Sequence, residues 1–260
     1  MNKKFDKNYK IISNVKVHGN YFELKIKAPI TVKHCHPGQF FMLSIPNVFL
    51  RRPISIHNIK KNTIIFLYKV IGDGTRNLSK IKSGKIQLLG PLGNSYYDLN
   101  FVPSSQKINN KSCNFSPIII AGGTGIVSLY FLAINLNTRG TIYYGVYSEK
   151  DLLCLEKFKK IGWKIIISTE DGSQGYKGYI TDILHKDLRN DNTLFVCGPA
   201  SMLKKVSQIA KEKNINGFAS LEEKMACGIG NCQGCVVKVK GQNKRVCRDG
   251  TIFRIEDIDL

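Results

Sequence analysis

We expect neither a secretory signal nor a membrane-spanning helix in this chain of 260 residues. Its first ten residues, MNKKFDKNYK, are basic, but no apolar run follows them, so we expect no targeting peptide. An apolar stretch at residues 117–136 is broken in its middle by Gly-Gly-Thr-Gly, which argues against a membrane-spanning helix and favours a buried strand, a tight turn and a helix. A hydrophobic fraction of 43% is enough for ordinary cores and excludes a disordered chain.

Acidic residues are scarce, since 19 Asp and Glu stand against 39 Lys and Arg and leave a formal net charge of +20. Such an excess is typical of proteins that bind nucleic acid or an acidic partner. The lysines form no dense block and no nucleic-acid-binding module is recognisable, so we expect no nucleic-acid partner and no membrane partner. The basic surface instead favours docking to an acidic protein surface.

The eight cysteines lack the arrangements typical of disulfide scaffolds and of structural zinc sites. Only one Cys-x-x-Cys pair is present, whereas a structural zinc site usually has two. Without a secretory signal, unpaired thiols indicate a reducing compartment, and we expect the protein to be cytoplasmic. Four of the cysteines are scattered singly: Cys35, Cys113, Cys154 and Cys197.

The other four cysteines lie close together in the segment ACGIGNCQGCVVKVKGQNKRVC. These residues, separated by four, two and eleven others, are Cys227, Cys232, Cys235 and Cys247. This spacing matches the plant-type ligation of a [2Fe–2S] cluster, and the intervening glycines allow tight curvature around it. Because such a cluster exchanges one electron at a time, the segment predicts a redox relay. The alternative from another class is a basic zinc-binding interaction module.

The hydrophobic pattern changes along the chain and predicts an α+β protein with three domains. Residues 10–100 contain short apolar or alternating runs, which predict a small antiparallel β-barrel. From residue 117, strands alternate with helices, which predicts a doubly wound parallel sheet. We place the barrel domain at 1–105, the α/β nucleotide-binding domain at 106–217 and the cluster domain at 218–260, and interpret the polar stretch 101–116 as a linker.

Two motifs of the barrel region are candidate phosphate-binding sites. The sequence RRPIS at residues 51–55 offers guanidinium groups for a pyrophosphate and a hydroxyl for a flavin ring nitrogen. The sequence GDGT at residues 72–75 precedes a short predicted helix, whose first amides can receive a phosphate. Taken singly, the arginines also fit a solvated face and the glycines an ordinary turn.

Three motifs of the nucleotide-binding region follow predicted strands, where open parallel sheets bind their ligands. The sequence GGTG at residues 122–125 lies between a strand and a helix and allows close approach of a dinucleotide phosphate. Residues 169–173, TEDGS, form a polar loop, and residues 197–199, CGP, follow a later strand. Each of them also fits an ordinary turn, and Cys197 also fits a small buried apolar residue.

Together these motifs resemble the ferredoxin–NAD(P) reductase superfamily. Residues 220–230, SLEEKMACGIG, and 246–250, VCRDG, narrow the resemblance to the electron-transfer subunits of dihydroorotate dehydrogenase B. The resemblance implies an FAD site formed by Arg52, Pro53, Ile54, Ser55, Lys69, Val70, Ile71, Gly74 and Thr75. It implies an NAD site formed by Gly122, Gly123, Gly125, Asp171, Cys197, Gly198 and Pro199. Of these residues, Cys197 and Ser55 are expected beside the reacting rings as catalytic residues.

The resemblance also implies a partner and a reaction. The partner is a catalytic subunit that oxidises dihydroorotate on its own FMN in pyrimidine (UMP) biosynthesis, in a heterotetramer with two copies of each chain. Electrons pass through the cluster to FAD, which joins one-electron to two-electron chemistry, and leave as hydride to NAD. Glu149, after the second strand of the nucleotide-binding domain, favours NAD over NADP. The nearest alternative is the flavin and iron–sulfur subunit of a ferredoxin-dependent NAD(P) transhydrogenase or of a sulfhydrogenase.

Two residues depart from the family pattern. Ser128 stands where family members often have proline, and Ser95 where they often have glycine.

Overall fold

The computed structural model describes residues 3–99 and 116–259, so the linker predicted at 101–116 lies, apart from Ser116, outside the described residues. The strands are β1 (Phe5–His18), β2 (Tyr21–Lys27), β3 (Phe40–Ser44), β4 (Arg52–Lys60), β5 (Thr63–Lys69), β6 (Lys85–Leu92), β7 (Ser116–Gly122), β8 (Thr141–Val146), β9 (Lys164–Thr169), β10 (Tyr176–Lys177), β11 (Asn192–Cys197), β12 (Asn216–Ser220), β13 (Val236–Val239), β14 (Gln242–Arg245) and β15 (Ile252–Arg254). The α-helices are α1 (Asp73–Lys80), α2 (Gly125–Asn135), α3 (Leu155–Lys160), α4 (Thr181–Asp187), α5 (Ala200–Lys213) and α6 (Val246–Asp249). None of the helices in these two ranges is both long and apolar enough to cross a membrane.

The N-terminal part is a closed antiparallel barrel with the strand order β1-β2-β5-β4-β3-β6. The second half of β2 alternates buried and more exposed residues, because successive side chains point to opposite faces of a sheet, whereas β3 and β5 are buried along almost their whole length. The buried side chains, among them Leu24, Phe41 and Phe66, fill the interior. Closure of the barrel leaves no strand with an unpaired edge. The predicted antiparallel barrel is confirmed.

The second part is a seven-stranded sheet with the order β10-β9-β8-β7-β11-β12-β15. All neighbours pair in parallel except β12 and β15. The central strands β7 and β11 are apolar and almost entirely buried, as expected when both faces of a parallel sheet are covered. The predicted α/β architecture is confirmed.

The C-terminal part contributes the hairpin β13–β14, the short helix α6 and the edge strand β15. Strand β15 pairs with β12 through Phe218 and Arg254, Ala219 and Phe253, and Ser220 and Ile252. The nucleotide-domain sheet therefore continues across the boundary predicted at residue 218, because β12 itself runs from Asn216 to Ser220.

The C-terminal part also packs on the barrel. One apolar core contains Met42 and Leu92 of the barrel together with Cys235 and Cys247. The Thr251 hydroxyl donates a hydrogen bond to the carbonyl of Gly38 at 2.5 Å. These contacts fix the cysteine-bearing segment against strands β3 and β6.

Candidate functional site

The loop that carries Cys227, Cys232 and Cys235, residues 226–235, is called the cluster loop below. Two of its glycines, Gly228 (φ +70°) and Gly230 (φ +88°), adopt left-handed backbone conformations that L side chains rarely adopt. A Cβ at Gly228 would lie 2.5 Å from Met42 Cγ, and a Cβ at Gly230 would lie 2.6 Å from Arg248 Cδ. Both positions therefore favour glycine for two reasons, the left-handed backbone conformation and the close packing of neighbouring side chains.

The four predicted ligands lie in two pairs. The backbone N–H of Cys232 donates to Cys227 Sγ at 3.5 Å, and the backbone N–H of Cys247 donates to Cys235 Sγ at 3.4 Å. Within the described ranges 3–99 and 116–259, no group of three or more Cys, His, Asp or Glu residues is placed to hold a single metal ion. Two contacting pairs of cysteines match the ligation of a two-iron cluster, in which each iron takes two protein sulfurs.

The backbone of the cluster loop favours the thiolate form of one predicted ligand. Although burial opposes ionisation, hydrogen bonds from backbone N–H groups of the loop, first that of Cys232, lower the pKa of the Cys227 thiol to about 6. Burial and the neighbouring Cys235 raise the pKa of Cys247 to about 12. Thiolates are the form that binds iron, so this environment suits the ligand role predicted for Cys227.

A clamp of charged residues holds the cluster loop to α6. Arg245 Nε and Nη2 donate to the two carboxylate oxygens of Asp249 at 2.9 and 3.2 Å, and Nη1 donates to the carbonyl of Gly230 at 3.2 Å. Such a two-point bond between guanidinium and carboxylate is both directional and strong. The clamp links Gly230 to the helix that carries Cys247.

The predicted FAD residues cluster around the start of β4. A Cβ at Gly74 would collide with the guanidinium of Arg52, so the turn at residues 72–75 lies against that arginine. The Thr75 hydroxyl accepts hydrogen bonds from the N–H groups of Ile71 (3.0 Å) and Gly72 (3.3 Å), which closes the turn. The structure therefore brings Arg52, Gly74 and Thr75 together. It also gives the Thr75 side chain a structural task that the sequence did not predict.

The other predicted FAD residues lie on the neighbouring strands. Pro53 and Ser55 pair with Met42 and Phe40 of β3. Lys69 lies 3.6 Å from Asp151, so its ammonium group is directed toward the nucleotide-binding domain.

Two observations at this end of the barrel fit a phosphate-bearing flavin nucleotide. Ile71, next to the turn at residues 72–75, is 80% exposed and offers apolar surface to a ligand. One guanidinium nitrogen of Arg51 is buried without a hydrogen-bond partner in the part of the chain that the structure describes. A bound dinucleotide offers both apolar surface and anionic acceptors.

Most of the predicted NAD residues lie in two turns at the carboxyl ends of β7 and β11. A Cβ at Gly122 would lie 2.6 Å from Pro199 Cδ, and one at Gly198 would lie 2.9 Å from the backbone nitrogen of Gly122. A Cβ at Gly125 would collide with the carbonyl of Cys197. The turns 122–125 and 197–199 are thus packed backbone to backbone, and the structure brings their predicted residues together. Gly123 (φ +52°) has no atom within 4 Å of its Cβ position and faces open space.

The thiol of Cys197 lies in the interior. Its side chain is fully buried, 3.5 Å from the hydroxyl of Ser128 and 4.0 Å from a carboxylate oxygen of Glu222. Burial first, and then the charge of Glu222, raise the pKa of Cys197 well above its usual range. The surroundings of this thiol therefore favour its protonated form. The contact with Ser128 could not be predicted, since the two residues are far apart in the sequence.

Asp171 lies at the same edge of the sheet, after β9. Its carboxylate bonds to Ser173 and not to either of the two glycine turns. Its oxygen Oδ1 accepts bonds from the N–H and hydroxyl of Ser173 at 2.9 and 2.6 Å, which lower the pKa of Asp171. Ser173 in turn accepts a bond from the N–H of Glu149 at 2.8 Å. This network gathers two carboxylate residues, Asp171 and Glu149, beyond the ends of β8 and β9.

Two family models match the chain, one in the cluster domain and one in the nucleotide-binding domain. The model of the iron–sulfur cluster binding domain of dihydroorotate dehydrogenase B matches residues 222–259. The model of the oxidoreductase NAD-binding domain matches residues 119–208.

Solved structures share the fold. That of an NADH-dependent reduced ferredoxin–NADP oxidoreductase, studied for flavin-based electron bifurcation, superposes with a TM-score of 0.81 at 30% identity and covers 96% of this chain and 89% of that one. A ferredoxin–NADP+ reductase from Neisseria gonorrhoeae with bound FAD and NADP superposes with a TM-score of 0.63 at 16% identity, covering 80% of this chain and 91% of that chain, and supports the fold alone.

Curated relatives match over nearly their whole length. The electron transfer subunit of dihydroorotate dehydrogenase B (NAD+) from Clostridium acetobutylicum is 37% identical over 249 residues, which are 94% of this chain and 93% of the relative. The subunit of the same description from Fusobacterium nucleatum is 36% identical over 263 residues, 95% and 96% of the two chains. The chain therefore belongs to the family of dihydroorotate dehydrogenase B electron transfer subunits.

Proposed function

We propose that this chain carries electrons between a catalytic dihydroorotate dehydrogenase subunit and NAD through a [2Fe–2S] cluster and FAD. One observation supports the proposal most directly. The cluster loop packs through Gly228 on Met42 of β3, and Met42 pairs with Pro53 of β4, the strand that carries the predicted flavin residues. A single strand of the barrel therefore separates the two predicted redox sites.

Each of the predicted sites has a distinct task. Cys227 and Cys232 would hold one iron, and Cys235 and Cys247 the other. A [2Fe–2S] cluster exchanges single electrons, whereas FAD accepts either one electron or a hydride, so together they join the two kinds of transfer.

The remaining residues bind and orient. In the barrel, the guanidinium of Arg52 and the turn at residues 72–75 would bind phosphate, and Ser55 would orient the flavin ring. The turn 122–125, at the start of α2, would receive the nucleotide pyrophosphate. The backbone of Cys197 and Gly198, which packs on the turn 122–125, would line the nucleotide site, and the enclosed side chain of Cys197 would support it from within.

The reaction balances across two subunits. Dihydroorotate loses two electrons and two protons to become orotate on the catalytic subunit; NAD+ takes both electrons and one proton on this chain, and the other proton is released to solvent. The assembly we propose is a heterotetramer of two copies of each chain with FMN in the catalytic subunit. Cys232 and Ile229 of the cluster loop are exposed and available for docking, and the net charge of +20 favours an acidic partner surface. Unpaired cysteines and a cluster suit a reducing compartment, so we place the complex in the cytoplasm.

A second candidate function has its own support. The solved oxidoreductase at 30% identity links NADH, reduced ferredoxin and NADP. A flavin and iron–sulfur subunit of such a transhydrogenase would use the same three sites with a different partner. The curated relatives at 33–37% identity favour the dihydroorotate assignment.

The test is co-expression of this chain with a candidate FMN-containing dihydroorotate dehydrogenase subunit, followed by anaerobic purification. We expect co-elution, iron, acid-labile sulfide and flavin in the complex, and reduction of NAD+ by dihydroorotate. A complex that reduces NADP+ with reduced ferredoxin but is inactive with dihydroorotate would support the second candidate. Colourless protein with bound zinc would support neither.

A further inference from the structure

Strand β4 contains a bulge at His57. Ile56 pairs with Phe66 of β5 and Asn58 pairs with Ile65, so two residues of β4 oppose one of β5. A bulge re-aims the side chain of the extra residue. The ring of His57 is fully buried and points out of the barrel toward the nucleotide-binding domain.

The ring bonds to that domain with both nitrogens. Its Nδ1 lies 2.8 Å from the carbonyl oxygen of Val127 in α2, and since a carbonyl only accepts, Nδ1 carries the hydrogen. Its Nε2 lies 2.9 Å from the ammonium group of Lys157 in α3, which donates to it. Tyr130 of α2 stacks on the ring at 5.0 Å, and Lys157 is held by Glu23 of β2 at 3.3 Å.

This bonding pattern requires a neutral ring. Burial and the charge of Lys157 lower the pKa of His57 to about 4, which agrees with the acceptor role of Nε2. The ring is therefore a fixed connector with one donor and one acceptor at neutral pH.

The two elements that His57 joins are those that carry the predicted ligand residues. Ser55 lies two residues before His57 in β4, and Gly125 lies two residues before Val127 in α2. A displacement of α2 against β4 would shift the nucleotide turn relative to the flavin strand. Hydride transfer depends steeply on such a displacement, since reacting atoms must lie about 3–3.5 Å apart.

Resting on the function proposed above, we propose that His57 is a positioning residue: its bond to Val127 fixes the nucleotide-binding turn of α2 against the flavin-binding strand β4. The bond acts through both elements, and the imidazole itself is enclosed by Val127, Tyr130 and Lys157.

A matched pair of variants tests the role. In H57N the amide occupies the place of Nδ1 and keeps the bond to Val127, whereas in H57Q the longer side chain places its amide near Nε2 and loses that bond. Stopped-flow reduction of the bound flavin by NADH gives a limiting rate and a half-saturating NADH concentration. We expect H57Q to lower the limiting rate about tenfold with little change in half-saturation, and H57N to stay within about twofold of the unchanged protein.

Two further readouts do not depend on activity. Hydrogen–deuterium exchange should rise in α2 peptides of H57Q but not of H57N. The long-wavelength charge-transfer absorbance between flavin and nicotinamide should weaken in H57Q. Asn135→Ala, which removes a bond from Asn135 to Phe131 within α2, serves as a control for loss of helix stability alone.

The outcomes separate the two proposals. If NADH does not reduce the flavin of the unchanged protein, the proposed function fails. If it does, but H57Q keeps the full limiting rate, or H57N and H57Q lose it equally, the role of His57 is wrong. If H57Q does not retain FAD, His57→Ala is used in its place. A limiting rate of flavin reduction that is low in His57→Ala and recovers when imidazole is added supports the role. A limiting rate that imidazole does not change contradicts it.

Discussion

Gly228 of the cluster loop lies directly on Met42 of the barrel, so close that a methyl group at position 228 would sit 2.5 Å from Met42 Cγ. We expect Gly228→Ala to lift the cluster loop from β3 and to lower the iron and acid-labile sulfide per FAD by at least about half, since a contact this short must be relieved by movement.

The control for this change is Gly241→Ala. Gly241 has the same φ of +70° in the β13–β14 turn, but no atom lies within 4 Å of its Cβ position. Both variants pay the same backbone cost, of about 1 kcal/mol. Equal iron loss in the two variants would show that the contact with Met42 is irrelevant.

Cys232→Ser should remove the cluster and leave the flavin. Cys232 is exposed on the cluster loop, and serine is a poor ligand for iron in place of thiolate. We expect the isolated chain to retain FAD and its reduction by NADH, and the complex to lose electron exchange with the partner. Cys154→Ser, at a cysteine outside the cluster loop, should keep both activities. The idea fails if Cys232→Ser retains a full complement of iron and sulfide.

Acidification should destabilise the protein through His57. Its folded pKa of about 4 lies below the ordinary value of 6.5, so the unfolded chain takes up a proton first as the pH falls. The stability tied to the neutral ring is complete above about pH 6.5 and is lost progressively down to about pH 4, up to about 3 kcal/mol. The melting temperature should therefore fall more steeply over this range in the unchanged protein than in H57N. If the melting temperatures of the two proteins fall in parallel with pH, the neutral state inferred for the His57 ring is wrong.

Glu149 should contribute to the choice of nucleotide. It is exposed after β8, and a carboxylate at this place repels a 2′-phosphate. We expect Glu149→Gln to reduce the preference for NADH over NADPH by about fivefold or more, mainly through the apparent affinity for NADPH. Glu156→Gln, which removes an exposed carboxylate paired with Lys159, should leave the preference unchanged. A preference that is identical in all three proteins would exclude Glu149.

Association with the catalytic subunit should weaken with salt, because the net charge of +20 favours an acidic partner. Raising the salt concentration from about 0.05 to about 0.5 M shortens the Debye length from above 10 Å to below 5 Å. We expect a lower association rate and a higher Kd in a binding titration. If complex formation is indifferent to salt, apolar contacts and not charge hold the interface.

Much of the fold follows from local sequence. Alternation in β2 and the continuous apolar run of β7 predict a half-buried and a fully buried strand, and the spacing from Cys227 to Cys235 predicts the cluster loop. The order β1-β2-β5-β4-β3-β6 does not follow, because it depends on which distant strands pair. The bond from His57 to Val127 joins residues 70 apart and depends on a bulge that no residue type announces. For the same reason the sequence does not reveal that Ser128 contacts Cys197, which is 69 residues away.

Strand β15 returns the chain to the nucleotide-domain sheet after Cys247, the last of the predicted cluster ligands. The iron–sulfur unit is therefore tethered on both sides, by β12 before it and by β15 after it, and rests on the barrel as well. A module held at three places cannot swing out like a carrier on a hinge. Electrons in this protein would tunnel across a constant distance between the cluster and the flavin, and no domain movement would limit the turnover rate.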